Sequence, residues 1–487
     1  MKIINFHIFS NTRWEKKGTL LTYNFTNTGS DSLYEYLYKC IKKDILSGKI
    51  KTGEKLPSKR MFAKNLGISV ITVENAYGQL IAEGYIYSQP KKGFFVSDLK
   101  ITSPVENESG TDRHPPVILT GGENAYLADF SSNQTETAVF PFSIWTRTMR
   151  EIMSEKQEEL MTNPPCGGIM ELRENIARYL MDFRGMSVQR EQIIVGAGTE
   201  YLYSLLIQLL GEKCVYGVEN PGYHKVAKIY ESMGVSYRYL DMDHAGILPS
   251  QLEEKKVQIL HTSPSHHFPT GVVMPVSRRY ELLGWAAGSP DRYIIEDDYD
   301  SELRLSGKPI PTLQSMDVSG KVIYMNTFTK TLSSTVRISY MVLPDSLAER
   351  FYRNLSFYSC TVSNFEQYTL SRFIQNGSFE KHINRLRNYY QMKRDKLLEA
   401  FHSHPIHKYI SIYEEEAGVH FLMKIDTEKT EKEVMDAARA KGIRLNPVSG
   451  YYFGISPEQE QIYVMNYSSV PLEKKEEIVS RIYEAIL

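Results

Sequence analysis

Residues 321–341, KVIYMNTFTKTLSSTVRISYM, set one lysine, Lys330, in a loop rich in Thr and Ser between two apolar segments. A lysine between two buried strands is costly unless a function uses it. Burial and nearby positive charge lower the pKa of an amine, which suits Schiff-base chemistry with an aldehyde. The hydroxyls of Thr327 and Thr329 and the guanidinium of Arg337 could bind a phosphate beside it. The alternative is an ordinary lysine in a surface loop.

Two upstream segments carry further candidate ligand groups. Residues 193–205, IIVGAGTEYLYSL, predict a strand, a glycine-rich turn and a helix whose first N–H groups could bind an anion. An ordinary turn between a strand and a helix would give the same pattern. Residues 293–299, YIIEDDY, predict a buried strand that ends in acids. Such acids could pair with a cofactor ring nitrogen or, alternatively, bind magnesium.

Two more segments, ENPGY at 219–223 and HTSPSHHFPTG at 261–271, lie between residues 205 and 293. In their order along the chain, the five segments together resemble the pyridoxal-phosphate (PLP) site of fold-type I aminotransferases. Because the lysine loop follows these acids in the chain, binding of PLP explains them better than binding of magnesium does. No metal site is predicted. The resemblance implies one set of cofactor contacts, namely Gly198, Thr199, Glu200, Tyr223, Asp297, Tyr299, Thr327, Thr329, Lys330 and Arg337.

The resemblance also implies individual roles. Lys330 corresponds to the Schiff-base lysine, and Asp297 to the acid that keeps the pyridine nitrogen protonated. Tyr299 corresponds to the tyrosine that hydrogen-bonds the ring hydroxyl, and Tyr223 to the one that lies against the ring. Phe268 stands where the family has an asparagine that also binds the ring hydroxyl, so the electronics of the cofactor should differ here.

The N-terminal part of the chain has a different pattern. Residues 32–47 predict an amphipathic helix before Gly48, with an apolar stripe formed by Leu33, Leu37, Ile41 and Ile45. A second helix is predicted between an N-cap at Ser58 and a stop at Gly67. After a tight turn a third helix is predicted, with inward-facing Val73, Ala76, Tyr77 and Leu80. The segment YIYSQPKKGFFV then predicts a β-hairpin.

The motifs LPSKR, LGIS, TVENAYGQLIAEGY and KKGFFV, in this order, resemble the GntR-type winged helix-turn-helix. Residues 31–100 contain 12 Lys and Arg against 7 Asp and Glu, a net charge of +5 in a chain of net charge −1. This distribution favours double-stranded operator DNA as the partner, although a charged segment is often only a solvated surface.

The resemblance assigns the DNA contacts to two groups of residues. Phosphate contacts are expected from Ser58, Lys59, Arg60, Lys91 and Lys92. Base contacts are expected from Val70, Thr72 and Asn75. The family commonly has an arginine where Val70 stands, so the operator sequence cannot be carried over.

Both halves together resemble the MocR/GabR subfamily of bacterial GntR regulators. The expected fold is multidomain, with an N-terminal winged helix-turn-helix (α+β) and a C-terminal α/β aminotransferase-like domain that has a mostly parallel central sheet. The expected boundaries are an extension at 1–30 without an assigned function, a DNA-binding domain at 31–98, a linker at 99–125, and a PLP-binding effector and dimerisation domain at 126–487.

Composition argues against several classes of protein. The four cysteines lack the spacing of metal ligands or of a disulfide framework, which favours reduced thiols in a cytoplasmic protein. No run of about 18 apolar residues is present, so no membrane span is expected. The first residues are too polar for a signal peptide.

Three functions fit the two domains: a transcription factor that senses an amine, an active aminotransferase with a regulatory module, and a DNA-binding protein whose second domain only dimerises. The retained cofactor residues argue against the third. The strand QIYVMNYSS at 461–469 lacks the arginine that usually clamps a substrate carboxylate, leaving Lys225 and Arg444 as candidate effector contacts. Arg444 fits an ordinary exposed charge equally well. We therefore expect a regulator with at most weak transaminase activity.

The resemblance implies how such a regulator would work. A small amine or amino acid would displace Lys330 from PLP, giving an external aldimine, and would favour one arrangement of the DNA-binding domains over another. The expected assembly is a homodimer, domain-swapped head-to-tail, that reads two half-sites.

Overall fold

The computed structural model describes residues 21–23, 25, 31–99, 126–132, 136–305, 310–416, 418–454 and 461–487. The chain divides into two compact units, Met1–Gly121 and Gly122–Leu487. Each unit has its own buried apolar core. Most of the expected linker at 99–125 and most of the expected extension at 1–30 lie outside the described residues.

The N-terminal unit contains three helices and a hairpin, α1 (Leu33–Leu46), α2 (Lys59–Leu66), α3 (Val70–Ala82), β1 (Ile86–Gln89) and β2 (Gly93–Val96). Ser58 caps α2, because its side-chain oxygen accepts the N–H of Met61 at 3.4 Å. Gly67 ends α2 with φ 69°, a left-handed conformation that turns the chain towards α3. The expected winged helix-turn-helix is confirmed.

The core of this unit differs from the expectation at two places. Leu37, Ile41 and Ile45 are buried as predicted, but the prediction for Leu33 is wrong, because its position in the first turn of α1 leaves it 45% exposed. Part of the expected extension also packs here. Leu21 is buried in this core, and the Tyr23 hydroxyl donates to Asp44 at 2.8 Å.

The C-terminal unit is built on a large sheet. Its strands are β3 (Ala128–Asp129), β4 (Ile193–Gly196), β5 (Tyr216–Asn220), β6 (Tyr237–Asp243), β7 (Gly246–Ile247), β8 (Ile259–Thr262), β9 (Tyr293–Asp297), β10 (Val322–Thr327), β11 (Ser339–Val342), β12 (Ile410–Tyr413), β13 (His420–Ile425), β14 (Ile443–Arg444) and β15 (Ile462–Asn466). Among the described residues, eight strands form one sheet in the order β4-β11-β10-β9-β8-β5-β6-β7.

Helices surround these strands. They are α4 (Phe142–Glu155), α5 (Gln157–Met161), α6 (Met170–Arg184), α7 (Thr199–Leu210), α8 (His224–Ser232), α9 (Ser250–Glu254), α10 (Val276–Ala287), α11 (Leu313–Met316), α12 (Asp345–Leu355), α13 (Asn364–Gln375), α14 (Ser378–Ser403), α15 (Glu431–Ala440) and α16 (Lys475–Ile486). None of the helices in the described ranges combines the length and the apolar character needed to cross a membrane.

The sheet is mostly parallel, as expected. Strands β10, β9, β8, β5 and β6 run parallel in that order, and β11 is antiparallel to both of its neighbours. Every residue of β10 is buried, which agrees with a strand covered on both faces. Because parallel strands end at the same edge, the loops after β8, β9 and β10 meet there.

Two small sheets complete the unit. Strands β12, β13 and β15 form an antiparallel sheet in which His420 pairs with Asn466, and β14 pairs with β3. The residues of β13 and β15 share an apolar core with α14, α15 and α16. His420 and Asn466 stand at the ends of their strands, where they reach the cavity described below.

Candidate cofactor and DNA-binding sites

A cavity of about 210 Å³ lies at the carboxyl ends of the parallel strands. Every residue expected to contact PLP lines it, although the residues come from four separate segments of the chain. Lys225, a candidate effector contact, lines it as well. Its lining, partly apolar with convergent polar groups, is typical of a small-molecule site.

Lys330 lies in the loop between β10 and β11 and reaches this cavity. Burial lowers the pKa of Lys330 to about 8, because its ammonium group loses contact with water. The carboxylate of Asp300 acts in the opposite direction and raises this pKa. A lysine with this pKa has a substantial neutral fraction near pH 8, which makes it a competent nucleophile.

Asp297, the last residue of β9, lines the cavity and carries one unsatisfied acceptor. The Tyr203 hydroxyl donates to Asp297 Oδ2 at 2.8 Å, and His261 Nε2 lies 3.6 Å from the same oxygen. Asp297 Oδ1 is buried and has no hydrogen-bond partner within the described part of the chain. A buried oxygen left in this way is expected to bind a ligand donor, and a protonated ring nitrogen fits it.

The neighbouring acids of this segment have protein partners. Glu296 accepts the backbone N–H groups of Leu313 at 2.8 Å and Gln314 at 2.9 Å. Asp298 accepts a hydrogen bond from Arg184 Nη2 at 2.8 Å. Among the described residues, no group of three His, Cys, Asp or Glu side chains is arranged to hold a metal ion.

One end of the cavity is suited to an anion. Gly198 precedes α7 with φ +94°, and a Cβ at this position would overlap the guanidinium of Arg337. Arg337 Nη2 donates to Glu200 at 2.7 Å, and Lys225 also binds Glu200. Burial would raise the pKa of Glu200, but hydrogen bonds from Lys225, its own backbone and Arg337 lower it to about 2. A phosphate at this helix N-terminus would meet N–H groups, hydroxyls and two cations.

Aromatic side chains form the sides of the cavity. Tyr223 is 51% exposed and meets Phe268 edge-on, with ring centroids 6.0 Å apart. Phe268 also packs edge-on against His420 at 5.6 Å and Tyr451 at 5.1 Å. Phe268 therefore supplies an apolar edge where an asparagine would have supplied a hydrogen-bond donor.

Sequence reasoning missed several residues of the cavity. Tyr203 and His261 hold Asp297, and Asp300, His420 and Asn466 form part of the lining. Asp300 is buried and lies 2.8 Å from His266 Nδ1. The histidines of HTSPSHHFPTG were a visible signal, because a cluster of histidines beside a candidate cofactor loop is unusual for a turn.

Arg444, the other candidate effector contact, does not line the cavity. It lies on β14, is 52% exposed at its side chain, and pairs with Asp129 of β3 at 3.4 Å. Its guanidinium also lies 5.8 Å from the ring centroid of Tyr126. These contacts agree with the alternative, an ordinary exposed charge.

The expected DNA surface belongs to the N-terminal unit. Val70 and Asn75 on α3 are exposed, whereas the Thr72 hydroxyl lies 2.8 Å from Ser69 Oγ in the cap of that helix. Lys59 pairs with Glu74 at 2.6 Å. Arg60, Lys91 and Lys92 are exposed and take part in no ion pair among the described residues.

Comparison with known proteins agrees with both halves. Residues 127–482 match the family model for aminotransferase class I and II, and residues 33–96 match that for bacterial regulatory proteins of the gntR family. The kynurenine aminotransferase of Pyrococcus horikoshii superposes with a TM-score of 0.64 at 25% identity, covering 75% of this chain and 91% of that one.

Two relatives match this chain over at least nine-tenths of their own length. The HTH-type transcriptional regulator YdeL of Bacillus subtilis is 38% identical over 423 residues, covering 86% of this chain and 90% of the relative. The probable rhizopine catabolism regulatory protein MocR of Rhizobium meliloti is 30% identical over 466 residues, covering 93% and 94%. The chain therefore belongs to the MocR-type family of DNA-binding transcriptional regulators, in which a gntR-family helix-turn-helix is joined to a domain of the aminotransferase class I and II family.

Proposed function

We propose that this regulator binds PLP at Lys330 and changes its operator binding when a small primary amine reaches that cofactor. The observation that carries the proposal is the buried, unpartnered Asp297 Oδ1 in the same cavity as a lysine of lowered pKa. A domain used only for dimerisation would have no need of either group.

Each expected contact has a physical role in this proposal. Bound PLP would supply a carbon that reacts with primary amines, and Lys330 would be the amine of this chain that holds it. Asp297 would hold the proton on the ring nitrogen, and Tyr299 would hydrogen-bond the ring hydroxyl. The helix N-terminus at Gly198 and the Arg337 guanidinium anchor the phosphate.

Operator recognition is assigned to the winged helix-turn-helix. We place Arg60 and the wing lysines Lys91 and Lys92 on phosphates, because they are exposed and unpaired among the described residues. Lys59 should contribute less, since Glu74 partly neutralises it. Val70 and Asn75 are exposed on α3 and are assigned to base edges. Because its partner is operator DNA, we place the regulator in the cytoplasm.

We propose a homodimer, domain-swapped head-to-tail, as the functional assembly. Two winged helices on one dimer would read two half-sites at high effective concentration. An amine can act as a signal only if it binds one arrangement of the dimer better than another.

A weakly active aminotransferase is the second candidate, favoured by the intact lysine site. Two features of the chain argue against efficient turnover. Phe268 cannot hydrogen-bond the cofactor ring, and β15 carries no arginine for a substrate carboxylate. We therefore propose sensing as the main role of the domain.

Operator affinity measured with and without amines tests the proposal. An operator selected from random duplexes would be titrated with PLP-loaded, full-length protein in the presence of a panel of primary amines and amino acids. At least one compound should change the affinity or the DNA bending. Identical binding under all conditions contradicts sensing, and sustained transamination near the usual enzyme median of about 10 s⁻¹ supports the second candidate.

The pH dependence of cofactor attachment is a specific prediction. PLP added to the cofactor-free protein should react with Lys330 at a rate that rises with pH and levels off above about 8, because only the neutral amine is nucleophilic. The measurement is the rate of the cofactor absorbance change between about pH 6 and 10. Asp300→Asn should move the midpoint to lower pH, because the Asp300 carboxylate raises the pKa of Lys330. A midpoint above 10, as for an exposed lysine, contradicts the assignment.

The salt dependence of operator binding is a second prediction. Arg60→Ala should weaken binding to all DNA sequences and reduce the slope of log Kd against log salt by about 0.9, because one phosphate contact and its released counterion are lost. Lys91→Ala with Lys92→Ala should reduce it by about twice as much. Fluorescence anisotropy over a series of salt concentrations measures both slopes.

A matched control and a base-reading variant sharpen this test. Lys43→Ala makes the same charge change on an exposed residue of α1, outside the helix-turn-helix, and should leave the slope unchanged. Asn75→Ala should shift the preference among sequences while the slope stays the same. Equal effects of Arg60→Ala and Lys43→Ala would show that the charge acts only at long range.

A further inference from the structure

The wall of the cavity formed by β13, β15 and the Phe268 loop is neutral and partly aromatic. We call it the His420 wall and define it by Phe268, Val419, His420 and Asn466, all of which line the cavity. His420 and Asn466 are paired residues of β13 and β15, so the pairing of these strands fixes their relative position. The ring of His266 stacks on that of His420 with centroids 4.8 Å apart.

The permanent cations that line the cavity have other partners or roles. Among the described lining residues they are Lys225, Lys330 and Arg337, and none belongs to the His420 wall. Lys225 and Arg337 both bind Glu200, at the end of the cavity suited to phosphate. Lys330 is the amine that carries the cofactor in the proposed function. A ligand carboxylate at the His420 wall would therefore lack a dedicated counter-ion among the described lining residues.

The charge near the wall is neutral to negative. Burial lowers the pKa of His420 well below 6.5, and the neighbouring His266 and Lys330 lower it further, so its imidazole is neutral at physiological pH. Asp300 also lines the cavity and is buried beside His266. A carboxylate stripped of water here would lie beside one acid, and the lining cation that acts on His420 is Lys330, which the proposed function assigns to the cofactor.

His420 nevertheless offers a hydrogen bond. Its Nε2 atom is buried and has no hydrogen-bond partner in the described ranges of the chain. A neutral imidazole nitrogen can exchange one hydrogen bond with a hydroxyl, an amide or a nitrogen of a ligand. It cannot reproduce the two parallel charged bonds that an arginine gives to a carboxylate.

We infer that the effector is a primary amine without a carboxylate, its body seated against Phe268 and Val419 and hydrogen-bonded to His420. The inference rests on the proposed function, because the amine must reach a cofactor held at Lys330. The inference narrows the predicted effectors from all primary amines, including amino acids, to primary amines without a carboxyl group. Lys225, as a partner of Glu200, then belongs to the phosphate end of the cavity rather than to effector recognition.

Matched pairs of compounds that differ only by the carboxylate test this inference. Full-length, PLP-loaded protein would be titrated with tyramine and tyrosine, histamine and histidine, and cadaverine and lysine, and the cofactor absorbance would be recorded. In each pair that responds, the amine should bind at least about tenfold more tightly, because the acid is desolvated without a counter-ion. Equal or tighter binding of the amino acids overturns the inference. That result is expected if the partner subunit supplies a cation across a dimer interface.

Variants of the wall provide an independent readout. Asn466→Arg should raise the affinity for the amino-acid member of each pair at least about tenfold, because it adds the missing cation. Because Asn466 Oδ1 accepts two hydrogen bonds from Ser468, this variant could disturb the loop, and His420 supplies a second test. His420→Leu should weaken amine binding at least about tenfold, whereas His420→Gln should retain most of it.

The outcomes separate this inference from the proposed function. Unchanged amine binding in His420→Leu overturns the role of His420 and leaves sensing intact. If no amine and no amino acid alters the absorbance while borohydride still fixes PLP on Lys330, the sensing function itself is overturned and the inference falls with it.

Discussion

Lys330→Ala is expected to abolish the covalent link between the protein and PLP. Borohydride treatment of the wild-type protein should fix the cofactor on the peptide that contains Lys330, and the same treatment of the variant should leave no labelled peptide. The operator response to amines should disappear as well, because an amine can then no longer replace Lys330 on the cofactor. Peptide mass mapping and operator titration measure the two effects.

The fold should survive this substitution. Lys330 lines a cavity, and removal of its amine relieves the cost of a desolvated cation, so the unfolding midpoint should fall little. Lys225→Ala removes a lysine amine from the phosphate end of the same cavity; it should weaken PLP binding, but at saturating PLP the label should still be found on Lys330. A label on another lysine, or an operator response that persists without Lys330, contradicts the proposed sensing mechanism.

Much of the fold could be predicted because local chemistry determines it. The cap at Ser58 and the left-handed Gly67 mark the ends of α2 by contacts within a few residues. The Pro-Lys-Lys-Gly segment similarly determines the hairpin of β1 and β2. Leu33 was misplaced because helical periodicity says which face a residue occupies, but not whether the helix end is open to solvent.

The cofactor side of the cavity was predictable for a related reason. Its residues lie in short segments at the carboxyl ends of adjacent parallel strands. Because these ends meet at one edge of the sheet, segments that are far apart in the sequence lie close together in the structure. The His420 wall was not predictable, because it depends on the register between β13 and β15. The surroundings of Arg444 depend likewise on its pairing with Asp129, far away in the sequence.

A buried ion pair joins α6 to the segment that carries Asp297. Arg184 Nη2 lies 2.8 Å from Asp298 Oδ2, and both side chains are 2% exposed. The Tyr324 hydroxyl also donates to Asp298 Oδ2, at 2.7 Å. Burial, followed by the charge of Asp298, raises the pKa of the neighbouring Glu302 to about 7. Arg184 is therefore the ion-pair partner of Asp298 in a buried acidic group next to Asp297, while the buried Arg279 acts on the same acids without an ion pair among the described residues.

Arg184→Ala is expected to lower the free energy of unfolding of the C-terminal unit by about 3–5 kcal/mol, because it leaves Asp298 buried without its ion-pair partner. Urea unfolding followed by the fluorescence of Trp145 and Trp285, in a Trp14→Phe background, measures the loss. Arg178→Ala, an exposed arginine on the same helix, is the matched control and should cost about 0.5 kcal/mol or less. Adding Asp298→Asn to Arg184→Ala should recover part of the loss, because the unpaired charge is then removed as well. A cost of Arg184→Ala below about 1 kcal/mol, or no recovery in the double variant, contradicts a charge-balancing role for this arginine.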